Sequence, residues 1–118
     1  MRSPRIEYLY ESLSASVIQV TAVFRSSLPV PEILNRFWAL QDNLSRLLEA
    51  IKDYPTETMR LLERHPDLLR DIANVLERSS DVQILSSLAP VRGSAESIHS
   101  SLSEIHEARQ ALMMAASV

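Results

Sequence analysis

A single glycine, Gly93, occurs among the 118 residues of this sequence, and that scarcity restricts the possible folds more than any other feature. Tight hairpin turns and phosphate-binding loops use glycine because its backbone adopts positive φ angles and lets another group approach closely. Helices, by contrast, are more stable without glycine. The composition therefore favours an all-α protein over a β-rich or nucleotide-binding one.

Apolar residues recur every three or four positions through most of the chain, which is the period of an α-helix. The clearest stripe alternates strictly between steps of four and three: Ile33, Phe37, Leu40, Leu44, Leu47 and Ile51. Leu34, Trp38 and Leu48 widen it to a second apolar face. A helix with two apolar faces is typical of a central position in a bundle.

Prolines divide the remaining sequence into helical segments. A first helix is predicted from Pro4 to about Arg25, followed by a loop at residues 26–31 that contains two prolines. Pro66 predicts a break near His65, because proline within a helix costs about 3 kcal/mol. Residues 79–81 resemble a helix cap, and residues 91–94 read as a loop whose Ser94 caps the last helix.

These segments predict a single domain over residues 1–118. Its fold class is all-α, an antiparallel helical bundle of four to six helices, some of them short or broken by proline. An apolar fraction of 46% and a charged fraction of 23% suit such a globular domain.

A short pattern recurs at intervals of 14 residues, beginning at Arg46, Arg60 and Asn74. Each copy ends near an acid that is predicted to cap the following helix: Asp53, Asp67 and Asp81. Two interpretations remain open, a short helical repeat or the ordinary echo of an amphipathic helix, because 14 residues nearly equal four helical turns.

No residue pattern indicates catalysis or a cofactor. The sequence has no cysteine, which excludes thiolate nucleophiles and cysteine-ligated metals. No Gly-x-Ser-x-Gly motif occurs. His99 and His106 are seven residues apart, which places them about 10.5 Å apart along a helix, too far to hold one metal ion. The sequence therefore predicts a non-enzymatic protein with no catalytic, metal-binding or cofactor-binding residue.

The double-faced second helix points to a protein-interaction or assembly module. Its predicted anchors are Leu34, Phe37 and Trp38, since large apolar and aromatic side chains dominate binding energy at interfaces. For Trp38 the competing interpretation is a core residue with its N–H at the edge. A second predicted contact is the helix junction at Arg64 and His65. The partner is another protein or a second copy of the chain.

Two alternative functions remain open. One is a membrane-localising bundle of a bacterial effector, in which Arg2, Arg5 and Arg25 contact an acidic lipid surface beside Tyr8 and Tyr10. The other is a small secretion chaperone.

A net charge of −3 argues against nucleic-acid binding. The sequence lacks an apolar stretch long enough to span a membrane. It therefore predicts a cytoplasmic protein, or one secreted into a host cell if it is an effector.

Overall fold

The computed structural model of the protein describes residues 4–116, apart from the side chains of Pro4, Arg5 and Ile84. Five longer helices and one single-turn helix occupy this range: α1 (Pro4–Val23), α2 (Val30–Asp53), α3 (Pro55–Arg64), α4 (Leu68–Asp81), α5 (Gln83–Ser86) and α6 (Ala89–Ala116). No strand occurs within it. The predicted all-α helical bundle is confirmed.

α1 and α2 form an antiparallel pair. The side-chain amide of Asn43 donates hydrogen bonds to the hydroxyl oxygen of Ser16 (2.7 Å) and the backbone carbonyl of Ser12 (3.3 Å). Further along, the guanidinium of Arg36 donates to the backbone carbonyl of Gln19 at 2.9 Å. Later residues of α1 thus lie opposite earlier residues of α2, which establishes that the two helices run in opposite directions.

Two prolines determine where α2 begins. Pro29 has the extended backbone angles φ −61° and ψ 148°, and Pro31 occupies the first turn, where its missing N–H is not required. Glu32 lies in the same turn and its carboxylate contacts Arg36 at 3.1 Å. Acidic residues are favoured there because the helix dipole is positive at the N-terminus. The predicted loop at residues 26–31 is therefore confirmed over residues 26–29, while Val30 and Pro31 already belong to α2.

α2 is the central helix and packs against both α1 and α6. All six members of its strict apolar stripe are buried. On the side that faces α6, the hydroxyl of Ser94 donates to the Oε1 atom of Gln41 at 2.8 Å. The remaining large core side chains come from all the other helices and include Leu13, Val20, Leu61, Leu62, Ile72, Leu85, Ile98 and Ile105.

The chain breaks between α3 and α4 at Pro66, as the sequence predicts. α3 ends at Arg64, and the backbone N–H of His65 completes its last turn by donating to the carbonyl of Leu61 at 3.1 Å. α4 then begins at Leu68. The position of the break follows from the steric clash between a proline ring and the preceding helical turn.

α4 runs in the same direction as α1. Just before α4 begins, the ring of His65 lies against Tyr10 in the first half of α1. Near the end of α4, the guanidinium of Arg78 lies 4.4 Å from the ring centre of Phe24, just beyond the end of α1. This geometry joins the second half of the chain to the first helix.

The predicted cap at residues 79–81 is wrong, because these residues form the last turn of α4. The buried hydroxyl of Ser79 donates to the carbonyl of Val75 at 2.8 Å. A serine within a helix is often satisfied in this way, by the carbonyl four residues earlier.

The pattern that recurs every 14 residues also does not supply helix caps. Asp53 and Asp81 end α2 and α4, while Asp67 makes no side-chain cap hydrogen bond at α4 and instead contacts Arg70 at 2.6 Å.

The predicted loop at residues 91–94 is also wrong, because α6 runs continuously from Ala89. Pro90 is its second residue, a position that tolerates proline. Gly93 lies within the helix, and Ser94 is buried against α2 instead of capping a later start. Packing of this first turn therefore outweighs the weak helix propensity of glycine, which costs about 1 kcal/mol relative to alanine.

Gly93→Ala is expected to stabilise the protein by about 1 kcal/mol, because alanine has the higher helix propensity. A β-carbon at this position meets no atom within 4 Å, so it introduces no clash. Urea denaturation followed by circular dichroism measures the effect. The matched control is Ala73→Gly on the exposed surface of α4, which should lower stability by a similar amount. A destabilised Gly93→Ala variant would contradict a helical conformation at residue 93.

Phe37→Ala is expected to lower the free energy of unfolding by about 3–5 kcal/mol, because it opens a cavity in the core. Phe37 has no exposed surface, whereas the adjacent Trp38 is half-exposed. Trp38→Ala should therefore cost much less, about 1 kcal/mol. Comparing the urea midpoints of the two variants tests which side of α2 faces the core. Equal losses of stability would contradict a buried Phe37 next to a half-exposed Trp38.

Candidate interaction surfaces

An apolar surface remains on the outer side of α2, next to α6. Val30, Leu34 and Trp38 recur at intervals of four, so they follow one side of the helix. Val30 is 46% exposed and Trp38 is 49% exposed, while Leu34 is half-buried. Gln41, which contacts Ser94 of α6, lies one turn further along. We call Val30, Leu34 and Trp38 the Trp38 surface.

Two of the three predicted anchors on α2 lie on this surface, and the third does not. Phe37 is fully buried in the core, so no atom of it is available to a partner. The pattern that suggested Phe37 as an anchor was its membership of the strict apolar stripe, which is the signal for the core. Trp38 lies about 100° away around the helix and remains accessible.

Arg64 and His65 contact α1 and not the Trp38 surface. The rings of His65 and Tyr10 are stacked, with centroids 3.6 Å apart and an angle of 13° between their planes. Arg64 approaches the carboxylate of Glu7 at 3.8 Å. Both residues also line a groove of about 360 Å³ between α1 and the start of α4. The junction predicted as a binding contact thus attaches the α3–α4 corner to α1.

Two of the three arginines predicted to contact a membrane, Arg5 and Arg25, belong to opposite ends of α1. Arg25 is exposed just beyond the end of α1, whereas Arg5 belongs to the first turn of that helix. A 20-residue helix is about 30 Å long, so the two positions lie at opposite ends. Arg2 lies outside the described residues, as does the side chain of Arg5.

A groove that sequence reasoning missed lies between α1 and the end of α2. It has a volume of about 440 Å³ and is lined by Ile6, Tyr8, Leu9, Ser12, Arg46, Glu49, Ala50, Asp53 and Tyr54. We call it the tyrosine groove, because Tyr8 is 68% exposed and Tyr54 is 45% exposed. The only sequence signal was the position of Tyr8 off the buried stripe of α1.

The last part of α6 is less buried than the rest of the helix, although Ala108 and Leu112 still pack against the core. Ile105 is its final buried residue, and from there to Ala116 every side chain is half-buried or exposed. Met113 and Met114 are both exposed near its end. His99 and His106 are also exposed on this helix. Within residues 4–116, no three histidine or acidic side chains lie close enough together to hold a metal ion.

Comparison with known proteins gives no relative. No protein-family model matches the chain. No curated protein matches its sequence, and no solved structure matches it. Over the described range, no helix combines the length and apolar composition needed to cross a bilayer.

The stacked pair at the α3–α4 corner is expected to contribute about 0.5–1.5 kcal/mol of coupling energy to stability. A double-mutant cycle of Tyr10→Leu and His65→Leu measures this coupling by urea denaturation. The cycle isolates the pair because each substitution removes one ring and keeps an apolar side chain. Additive losses would show that the two rings do not stabilise each other.

Proposed function

We propose that this protein is a non-enzymatic interaction module that contacts another protein, or a second copy of itself, through the Trp38 surface. The observation that carries the proposal is the half-exposed side chain of Trp38 on the central helix. Tryptophan is enriched among the residues that dominate the binding energy of interfaces. The rigid packing of α2 fixes its position before any partner binds.

Covering the exposed part of Trp38 supplies one part of the free energy that a specific contact needs. A tryptophan side chain presents about 200 Å² when fully exposed, so covering the exposed half removes about 100 Å² from water. At about 25 cal/mol per Å², that area contributes about 2.5 kcal/mol. Val30 adds a further exposed apolar side chain on the same side of α2.

A charged pair lies at one end of the Trp38 surface. Asp42 lies one turn after Trp38, and its carboxylate contacts Arg46 at 3.0 Å. Both side chains are more than half exposed, so the pair contributes little to the stability of the fold. Polar residues around an apolar centre are typical of protein interfaces, where they exclude wrong partners more than they add affinity.

Photo-crosslinking at position 38 tests the proposal directly. Benzoylphenylalanine in place of Trp38, introduced in cells that naturally make the protein, should form a discrete covalent adduct on irradiation. The matched control places the same residue at Ile18, which is 65% exposed on α1. Mass spectrometry then distinguishes an adduct with a second copy from an adduct with a different protein.

Self-association has a second readout, because Trp38 is the only tryptophan in the chain. If two copies meet at this surface, raising the protein concentration should shift the tryptophan emission to shorter wavelength and increase the mass measured by light scattering. Val30→Asp should abolish both effects without harming the helix, since an acid is favoured in its first turn. Ile18→Asp should leave both unchanged.

Two results together would contradict the proposal. If positions 38 and 18 give the same adducts, and the purified protein remains monomeric with unchanged emission, the Trp38 surface is not a contact site.

A further inference from the structure

The tyrosine groove combines an apolar base with two exposed aromatic rings. Ile6, Leu9 and Ala50 are all buried and form its base. Tyr8 projects from α1, and Tyr54 follows directly after α2. Tyr54 has a defined backbone position, because its N–H donates to the carbonyl of Ala50 at 2.7 Å and its carbonyl accepts from the N–H of Thr58 at 3.0 Å. The two rings therefore lie on separate, well-anchored elements.

The charges at this groove are predominantly negative. Glu49 and Asp53 are exposed, lie one turn apart on α2 and form no ion pair within the described residues. Among the described lining residues, the one basic side chain is that of Arg46, whose guanidinium is paired with Asp42 at 3.0 Å. Among the described side chains, a ligand that enters the groove thus meets two carboxylates without an ion pair.

We propose that the tyrosine groove binds an arginine side chain presented by a partner protein. The aliphatic part of arginine suits the base formed by Ile6, Leu9 and Ala50. Its planar guanidinium stacks on tyrosine rings through cation–π attraction and donates hydrogen bonds to carboxylates in a fixed geometry. Glu49 and Asp53 supply those carboxylates.

The size of the groove limits the ligand to a short segment. A volume of about 440 Å³ lies near the lower end of the range for small-molecule sites, about 300–1,000 Å³. This space accommodates one long side chain with a neighbouring apolar residue, and not a whole helix. The recognised element is therefore a basic residue beside an apolar one.

This inference is independent of the Trp38 surface. Trp38 precedes Glu49 by three turns on α2, which is about 16 Å along the helix axis. The groove also requires Ile6, Tyr8 and Leu9 of α1, none of which belongs to the Trp38 surface. One site can fail its test while the other passes.

Titration of the whole ¹⁵N-labelled protein with N-acetyl-leucyl-arginine methylamide tests the inference by NMR. We expect saturable chemical-shift changes at the backbone amides of Tyr8, Ala50 and Tyr54, with a dissociation constant in the millimolar range. The matched ligand is N-acetyl-leucyl-citrulline methylamide, which has the same shape but no charge. It should bind roughly tenfold more weakly, because it loses the cation–π and carboxylate interactions.

Surface variants locate the binding energy within the groove. Glu49→Gln combined with Asp53→Asn should weaken arginine binding by roughly threefold to tenfold and leave citrulline binding unchanged. The control variant, Glu104→Gln with Glu107→Gln, removes the same charge from exposed positions of α6 and should have no effect. Tyr8→Leu keeps an apolar side chain but should weaken binding of arginine more than that of citrulline.

Three outcomes would overturn the inference. The first is equal affinity for the arginine and citrulline ligands, and the second is an absence of saturable shifts at the groove. The third is binding that occurs only after Arg2→Gln, since that result would make the chain's own N-terminal segment the occupant. A failure to crosslink a partner at position 38 would count only against the Trp38 surface. It would not change any of the three outcomes that test the tyrosine groove.

Discussion

Burial of the apolar stripe on α2 is the interaction on which the rest of the structure depends. Four of its members have no exposed surface: Phe37, Leu40, Leu44 and Leu47. Each large apolar side chain of this kind contributes about 1.5–3 kcal/mol on burial. One helix cannot cover this stripe, so α1 and α6 pack on either side of it. α4 then closes the bundle by contacting both of them. Pro55 and Pro66 determine where α2 and α3 end, and the apolar stripe of α2 determines which surface the other helices cover.

The same helix also supplies parts of both candidate surfaces. Trp38 lies in its first half, and Glu49 and Asp53 lie in its last two turns. A central helix held by two neighbours moves little, so side chains on its free side have defined positions relative to each other. Binding groups on such rigid elements lose less conformational entropy when a partner binds than groups on loops do. The arrangement therefore suits recognition by two separate contacts.

The sequence predicts those features of the fold that depend on local patterns. The stripe from Ile33 to Ile51 and the break at Pro66 follow from helical period and proline sterics, and both are observed. The errors occur at Ser79 and Gly93, where local propensity opposes a helix that tertiary packing maintains. The tyrosine groove lay beyond sequence reasoning for a different reason. It exists only because antiparallel packing brings Ile6 close to Ala50, and no local pattern encodes that proximity.

The polar contacts within the helix seams have a further consequence for specificity. A stripe of leucines at regular spacing packs almost equally well if a neighbouring helix slides by two turns, because one apolar side chain replaces another. The hydrogen bonds from Asn43 to Ser16 and from Ser94 to Gln41 do not tolerate such a shift, since sliding would bury each polar group without a partner. These two contacts thus select a single axial alignment of α2 with α1 and α6 from several of similar hydrophobic energy. That axial alignment also sets the position of every surface group on α2 relative to α1 and α6.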